Sequence, residues 1–129
     1  MPGLLIGGTA SEAPASWGNT TSVEEIQLQI GEGPVGRTVI IWAVQVDNVL
    51  YVTGQKDSGW VRGIGAGGPV RMQMEGQLYN LTATPVTVGQ ADKIAAWLEK
   101  YEQFYPGITE GPSPEERALT AAVFRLTTQ

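Results

Sequence analysis

The chain has 129 residues, 42% hydrophobic and 16% charged, with a formal net charge of −5 and neither cysteine nor histidine. That composition suits one folded domain and excludes disulfides, thiolate nucleophiles, Ser-His-Asp triads and most transition-metal sites, so no metal site is expected. The acidic balance argues against a general nucleic-acid binder, which needs clustered cations to displace counterions.

Residues 1–21 read as a flexible N-terminal tail or the remnant of an export leader. "LLIGGTAS" runs there into a small, polar, proline-containing stretch, and Trp17 would pin its end to the domain. Residues 22–129 read as a single domain. No stretch is long and apolar enough to span a bilayer. The location stays open between the cytoplasm and an exported or tethered domain.

From Val23, "VEEIQLQIGEG" places Ile26, Leu28 and Ile30 in strict alternation with polar residues, the mark of a half-buried strand. "GEGPVGR" is a loop. "RTVIIWAVQV" (37–46) is a nearly continuous apolar, β-branched run, predicted as a strand buried on both faces. Asp47-Asn48 tolerates positive φ and joins that run to "VLYVTG" in a tight hairpin. "VRMQMEGQLYNLTATPVTV" repeats the device around Glu75-Gly76, with Pro85 marking an edge or a bulge. Tyr51 and Tyr79 are read as packing residues facing one another across the two hairpins.

Residues 90–105, "QADKIAAWLEKYEQFY", form the main predicted helix, with Ile94, Trp97, Leu98 and Tyr101 on one stripe and Pro106-Gly107 as the stop. One further helical turn is expected from Pro114. "ALTAAVFRLTT" closes the chain as a strand. With so few helices, the economical architecture is mainly β (α+β): a small antiparallel barrel with one main helix and a short helix after the central hairpin.

Between the hairpins lies "GQKDSGWVRGIGAGG" (54–68), which offers two candidate anion sites. Its second half, Gly63 to Gly68, fits G-x-G-x-x-G, but that pattern needs a helix to begin on it, and "PVRMQMEG" reads as a strand. The first half has better chemistry. A short helical segment from Ser58 to Ile64 would bring cap N–H groups, the Lys56 ammonium, the Ser58 hydroxyl and the Arg62 guanidinium toward one phosphate. Arg37, Lys56, Arg62 and Arg71 make the middle of the chain basic, opposed only by Asp47 and Asp57.

The hairpin into "YVTGQKDSGWVRGI", the stretch "VRMQMEGQLYNLTATPVT" and the closing "FYPGI" before a last strand together resemble the split β-barrel flavin-binding superfamily. The likeness covers roughly residues 23–128 and is nearest to its deazaflavin-dependent nitroreductase-like and pyridoxamine-phosphate-oxidase-like members. The resemblance implies an oxidoreductase of small molecules with FMN or a deazaflavin bound in a groove, often at a homodimer interface. Carried onto this sequence, it implicates Lys56, Ser58, Gly59, Trp60 and Arg62 in cofactor binding, with Arg37 adding charge to the same anion. It gives Tyr101 and Tyr105 a place on the substrate side, so Tyr105 is the candidate catalytic residue. Trp42 and Trp97 are read first as core. The alternative reading keeps the barrel without a cofactor, as a binding or interaction module.

Overall fold

Two left-handed turns organise the sheet. Asp47 and Asn48 have φ of 51° and 66°, and Glu75 and Gly76 have φ of 50° and 82°, the geometry of two-residue hairpin turns whose twist matches that of the flanking strands. The computed structural model describes residues 9–11, 14, 17–30 and 37–128. The first turn joins β4 (Ala43–Val46) to β5 (Val49–Gln55), and the second joins β6 (Gly68–Met74) to β7 (Gln77–Pro85). The remaining strands are β1 (Thr9–Ser11), β2 (Ile26–Ile30), β3 (Arg37–Ile41) and β8 (Ala121–Thr128), and the helices are α1 (Gly59–Ile64), α2 (Gln90–Tyr101) and α3 (Pro114–Ala118).

The strand order is β3-β2-β6-β7-β8-β5-β4, with antiparallel neighbours throughout that path. β1 lies parallel beside β7, so part of the stretch expected as a tail runs along the sheet. The two ends of the sheet, β3 and β4, are separated in sequence by Trp42 alone. The sheet therefore curls until its first and last strands are consecutive pieces of one run. The fold is α+β, mostly antiparallel β, as the pattern of elements predicts.

Alternate side chains of the curled sheet fill its interior: Ile26 and Leu28 from β2, Leu50 and Val52 from β5, Val70 and Met72 from β6, Leu81 and Ala83 from β7, Phe124 and Leu126 from β8. Trp60, Val61 and Ile64 of α1 join the same core. A second cluster seats α2, through Ile94 and Leu98, on Ala121 and Val123 of β8. Burying this much apolar surface, at about 25 cal/mol per Å², is the main force holding α1 and α2 to the sheet.

Four local expectations are corrected. The run 37–46 is not buried on both faces, because β3 ends the sheet and Ile40 is 62% exposed. Tyr51 is registered with Arg125 and Tyr79 with Met72, so the two tyrosines do not face one another; Tyr79 instead meets Trp17 edge-on, ring centroids 4.9 Å apart. The main helix stops at Tyr101 rather than 105. The Glu102 carboxylate accepts from the Gly107 N–H (2.9 Å) and the Thr109 N–H (3.3 Å), and Gly107 at φ 96° lets the chain fold back. Those N–H groups hold the Glu102 carboxyl below its ordinary range. Pro85 sits at the end of β7, opposite Phe124, rather than at a bulge. The glycine connector behaves as expected: β6 begins at Gly68, so no helix starts on Gly63–Gly68.

Candidate functional site

β5 delivers the chain to a short loop, and α1 begins at Gly59. Trp60 is turned inward, 9% exposed. Its indole lies so close to Gly54 that a Cβ there would fall within 2.9 Å of Cε2, and its ring is 6.1 Å from that of Phe124. Only glycine fits at 54 with Trp60 in this place. The buried indole fixes α1 against the barrel and leaves Arg62 exposed on the helix's last turn.

Ser58 occupies the N-cap position without capping; its hydroxyl donates to the Gln55 carbonyl (2.8 Å). Lys56 is tied to the segment after α3: its N–H donates to the Thr120 carbonyl (2.9 Å) and its Nζ to the Leu119 carbonyl (3.2 Å). Gly59 opens α1, whose first turn carries no acidic residue. Arg37 opens β3 opposite Ile30, and its side chain lies outside the described residues. Just before the loop, a cleft of about 220 Å³ runs between Thr53–Gln55, Trp97 and Arg117. The Arg117 guanidinium is held by the Pro112 carbonyl (2.8 Å) and the Ile108 carbonyl (3.0 Å). Sequence reasoning missed Arg117 because it sits among acids; only its tertiary contacts bring it to the cleft.

A second set of residues gathers around Trp42, at the break between β3 and β4. Its ring is stacked on Tyr101 (centroids 4.5 Å, 10°) and on Tyr105 (4.7 Å, 23°), and tilted against Trp97 (5.1 Å, 36°). Such contacts add roughly 0.5–1.5 kcal/mol per pair beyond burial. Tyr101 is wholly buried. Its hydroxyl accepts from the Ala43 N–H (3.0 Å) and donates to the Glu24 carbonyl (2.5 Å), and burial pushes its pKa up. Tyr105, the candidate catalytic residue, is 40% exposed. Its hydroxyl donates to Glu24 Oε2 at 2.5 Å, a bond that raises the phenol's pKa and keeps it protonated.

Lys100 was not visible as a site residue in the sequence, where it only borders the apolar stripe of α2. Its Nζ donates to the Ala43 carbonyl (2.6 Å), and burial lowers its pKa to about 8. It lines an open groove of about 590 Å³ together with Thr20, Gln45, Glu99 and Gln103. Gln45 and Gln103 close one side by donating to the Gly18 carbonyl (2.7 Å) and the Thr21 carbonyl (2.7 Å).

No family model matches the sequence, and no curated protein matches it. Solved structures do. An FAD- and haem-binding protein from Mycobacterium smegmatis is similar over 84% of this chain, at a TM-score of 0.61 and 14% identity. The match spans 62% of that chain's length. An FAD-binding protein from Mesorhizobium loti is similar over 84% of this chain and 83% of its own (TM-score 0.57, 14% identity). An F420 reductase matches 87% of this chain and 94% of its own (TM-score 0.54, 14% identity). This chain is a split β-barrel. The segment 56–62 leaves the β4–β5 hairpin as a short loop and runs into α1 at Gly59. No helix among the described residues is long and apolar enough to cross a membrane. The described residues also contain no group of three or more His, Cys, Asp and Glu that would hold a metal.

Proposed function

We propose that this split barrel binds a flavin-type cofactor, FMN or a deazaflavin, with its phosphate at the loop 56–62, and acts as an oxidoreductase of small molecules. One observation carries the reading: on a fold shared with proteins described as FAD-binding and as an F420 reductase, the loop that opens α1 presents cations and donors with no acid in the first helical turn. The residues fit an anion. Lys56 uses one of its three donor positions on Leu119. The Ser58 hydroxyl gives its one proton to the Gln55 carbonyl and would turn from it to meet an anion, and Arg62 is exposed. The N–H groups of Gly59, Trp60 and Val61 lack intrahelical partners, as in the first turn of any helix, whereas that of Arg62 already bonds the Ser58 carbonyl (3.1 Å). Arg37 adds charge from the start of β3. Trp60 serves from beneath, holding α1 in place.

When bound, such a cofactor supplies the hydride chemistry, and the protein supplies binding, orientation and exclusion of water. The cleft beside the loop, about 220 Å³, is smaller than the roughly 300–1,000 Å³ of typical ligand sites. The cleft alone would not enclose a tricyclic ring, and in this reading a second copy of the chain in a homodimer completes the site. Tyr105 is the proton donor or substrate contact in this reading, because its phenol keeps its proton beside Glu24.

The test is titration of the protein with FMN and with a deazaflavin, followed by absorbance and fluorescence. Charge-assisted hydrogen bonds are worth about 1.5–3 kcal/mol each, so Lys56→Ala and Arg62→Ala should each weaken binding by roughly 10- to 100-fold while the barrel stays folded, with Lys56→Ala losing only the exposed tie to Leu119. If both variants bind as the parent does, the loop does not hold the phosphate.

A further inference from the structure

We propose that Trp97, Trp42 and Tyr105 form a relay that carries a one-electron oxidising equivalent from the cleft between α2 and the sheet to the exposed ring of Tyr105. The proposal does not rest on the cofactor reading. Each ring contacts the next: Trp97 and Trp42 have centroids 5.1 Å apart, and Trp42 and Tyr105 are stacked at 4.7 Å. The inner end is Trp97, which lines the cleft beside Thr53–Gln55. The outer end is Tyr105, 40% exposed.

The hydrogen-bond partners give the relay a direction. An oxidised indole becomes a radical cation, which settles where it stands only if its N–H proton has somewhere to go. The Trp97 Nε1–H is buried with no hydrogen-bond partner among the described residues, so a hole on Trp97 cannot be trapped by deprotonation. An oxidised phenol is a strong acid, and Tyr105 already donates its O–H to a carboxylate oxygen of Glu24 at 2.5 Å. Tyr101 also stacks on Trp42, but its O–H donates to the main-chain carbonyl of Glu24, which is no base for a full proton transfer. Of the hydrogen bonds made by these rings, that of Tyr105 is the one that meets a carboxylate, so the hole is trapped there.

The electrons and protons balance as follows. A one-electron oxidant, such as an organic or inorganic radical, takes an electron from Trp97 or Trp42. Tyr105 refills that vacancy through Trp42 and passes its phenolic proton to Glu24 Oε2. A neutral tyrosyl radical and a protonated Glu24 remain. An external one-electron reductant at the surface, such as a thiol, then restores the phenol by giving back an electron, with the proton returning from Glu24.

Pulse radiolysis tests this with azidyl radicals, which oxidise tryptophan in preference to other side chains. Trp17 and Tyr79 form a separate Trp–Tyr contact at 4.9 Å, away from Trp42, so the parent for the experiment is the full-length Tyr79→Phe variant. The tryptophanyl absorption band should decay as the tyrosyl band grows, at a rate independent of protein concentration. Tyr105→Phe in that background should slow the conversion at least about tenfold. Glu24→Gln should slow it by a smaller factor, because an amide cannot take the proton. Conversion in the Tyr105→Phe protein at the parent's rate would overturn the relay. An unchanged rate in Glu24→Gln would overturn Glu24's part in it.

Discussion

Removing one oxygen atom from Tyr101 tests how the break at Trp42 is held. Tyr101→Phe leaves a ring able to stack on Trp42 as before, so the apolar burial is retained. The hydroxyl it deletes accepts from the Ala43 N–H and donates to the Glu24 carbonyl. Ala43 is 3% exposed, so its N–H loses a partner where water does not reach. Leaving a buried donor unsatisfied costs about 1–3 kcal/mol; we take about 2 kcal/mol for this site. At about 2.1 cal/mol/K of unfolding entropy per residue, 129 residues give about 0.27 kcal/mol/K, so the melting temperature should fall by about 7 °C. Far-ultraviolet circular dichroism during a thermal melt reads this directly. Tyr105→Phe is the comparison: it removes a hydroxyl bonded to Glu24 where solvent can replace the bond, and it should lower the melting temperature by less than Tyr101→Phe does. A Tyr101→Phe protein that melts with the parent would show that the Tyr101 hydroxyl does not clamp β4 to α2.

Two further expectations follow from packing and from charge. Gly54→Ala should destabilise the protein by about 1–3 kcal/mol, because the new methyl overlaps the Trp60 indole; denaturant melts measure the loss, and an unchanged midpoint would mean that Trp60 is not wedged against β5. Lys100 has a folded pKa of about 8 against an ordinary 10.5, so between those values the unfolded chain binds more protons and stability rises with pH. Relative to Lys100→Met, the wild type should therefore gain stability from pH 7 to above pH 10, by about 1 kcal/mol once solvent screening of the half-exposed ammonium is allowed for; a constant difference across that range would show an ordinary lysine.

The elements that were legible in the sequence are those specified by neighbours in the chain. Asp47-Asn48 and Glu75-Gly76 announce their hairpins because few other pairs accept two positive φ values in a row. The stripe Ile94, Trp97, Leu98, Tyr101 announces α2. The short helix after the loop and the turn at Pro114 are equally local; the latter carries a capping box between Ser113 and Glu116. What was not legible depends on partners far away in sequence. The run 37–46 gives no sign of its break at Trp42, whose ring packs on residues far along the chain, Tyr101 and Tyr105. The early end of α2 depends on the Glu102 carboxylate meeting Gly107 and Thr109. Lys100 and Arg117 look like solvated cations until β4 and the carbonyls of Ile108 and Pro112 close on them. The loop cations were visible by type, but the tie of Lys56 to Leu119 was not.

Ligands with and without the phosphate distinguish whether the segment 56–62 holds a phosphate-bearing flavin-type cofactor. The protein would be titrated calorimetrically with FMN and with riboflavin, and with a deazaflavin in phosphorylated and unphosphorylated forms. One of the phosphorylated ligands should bind more tightly than its counterpart, by roughly 10- to 100-fold for each charge-assisted hydrogen bond that the phosphate makes. Equal affinity for both members of each pair, or no binding by any of the four, would contradict it.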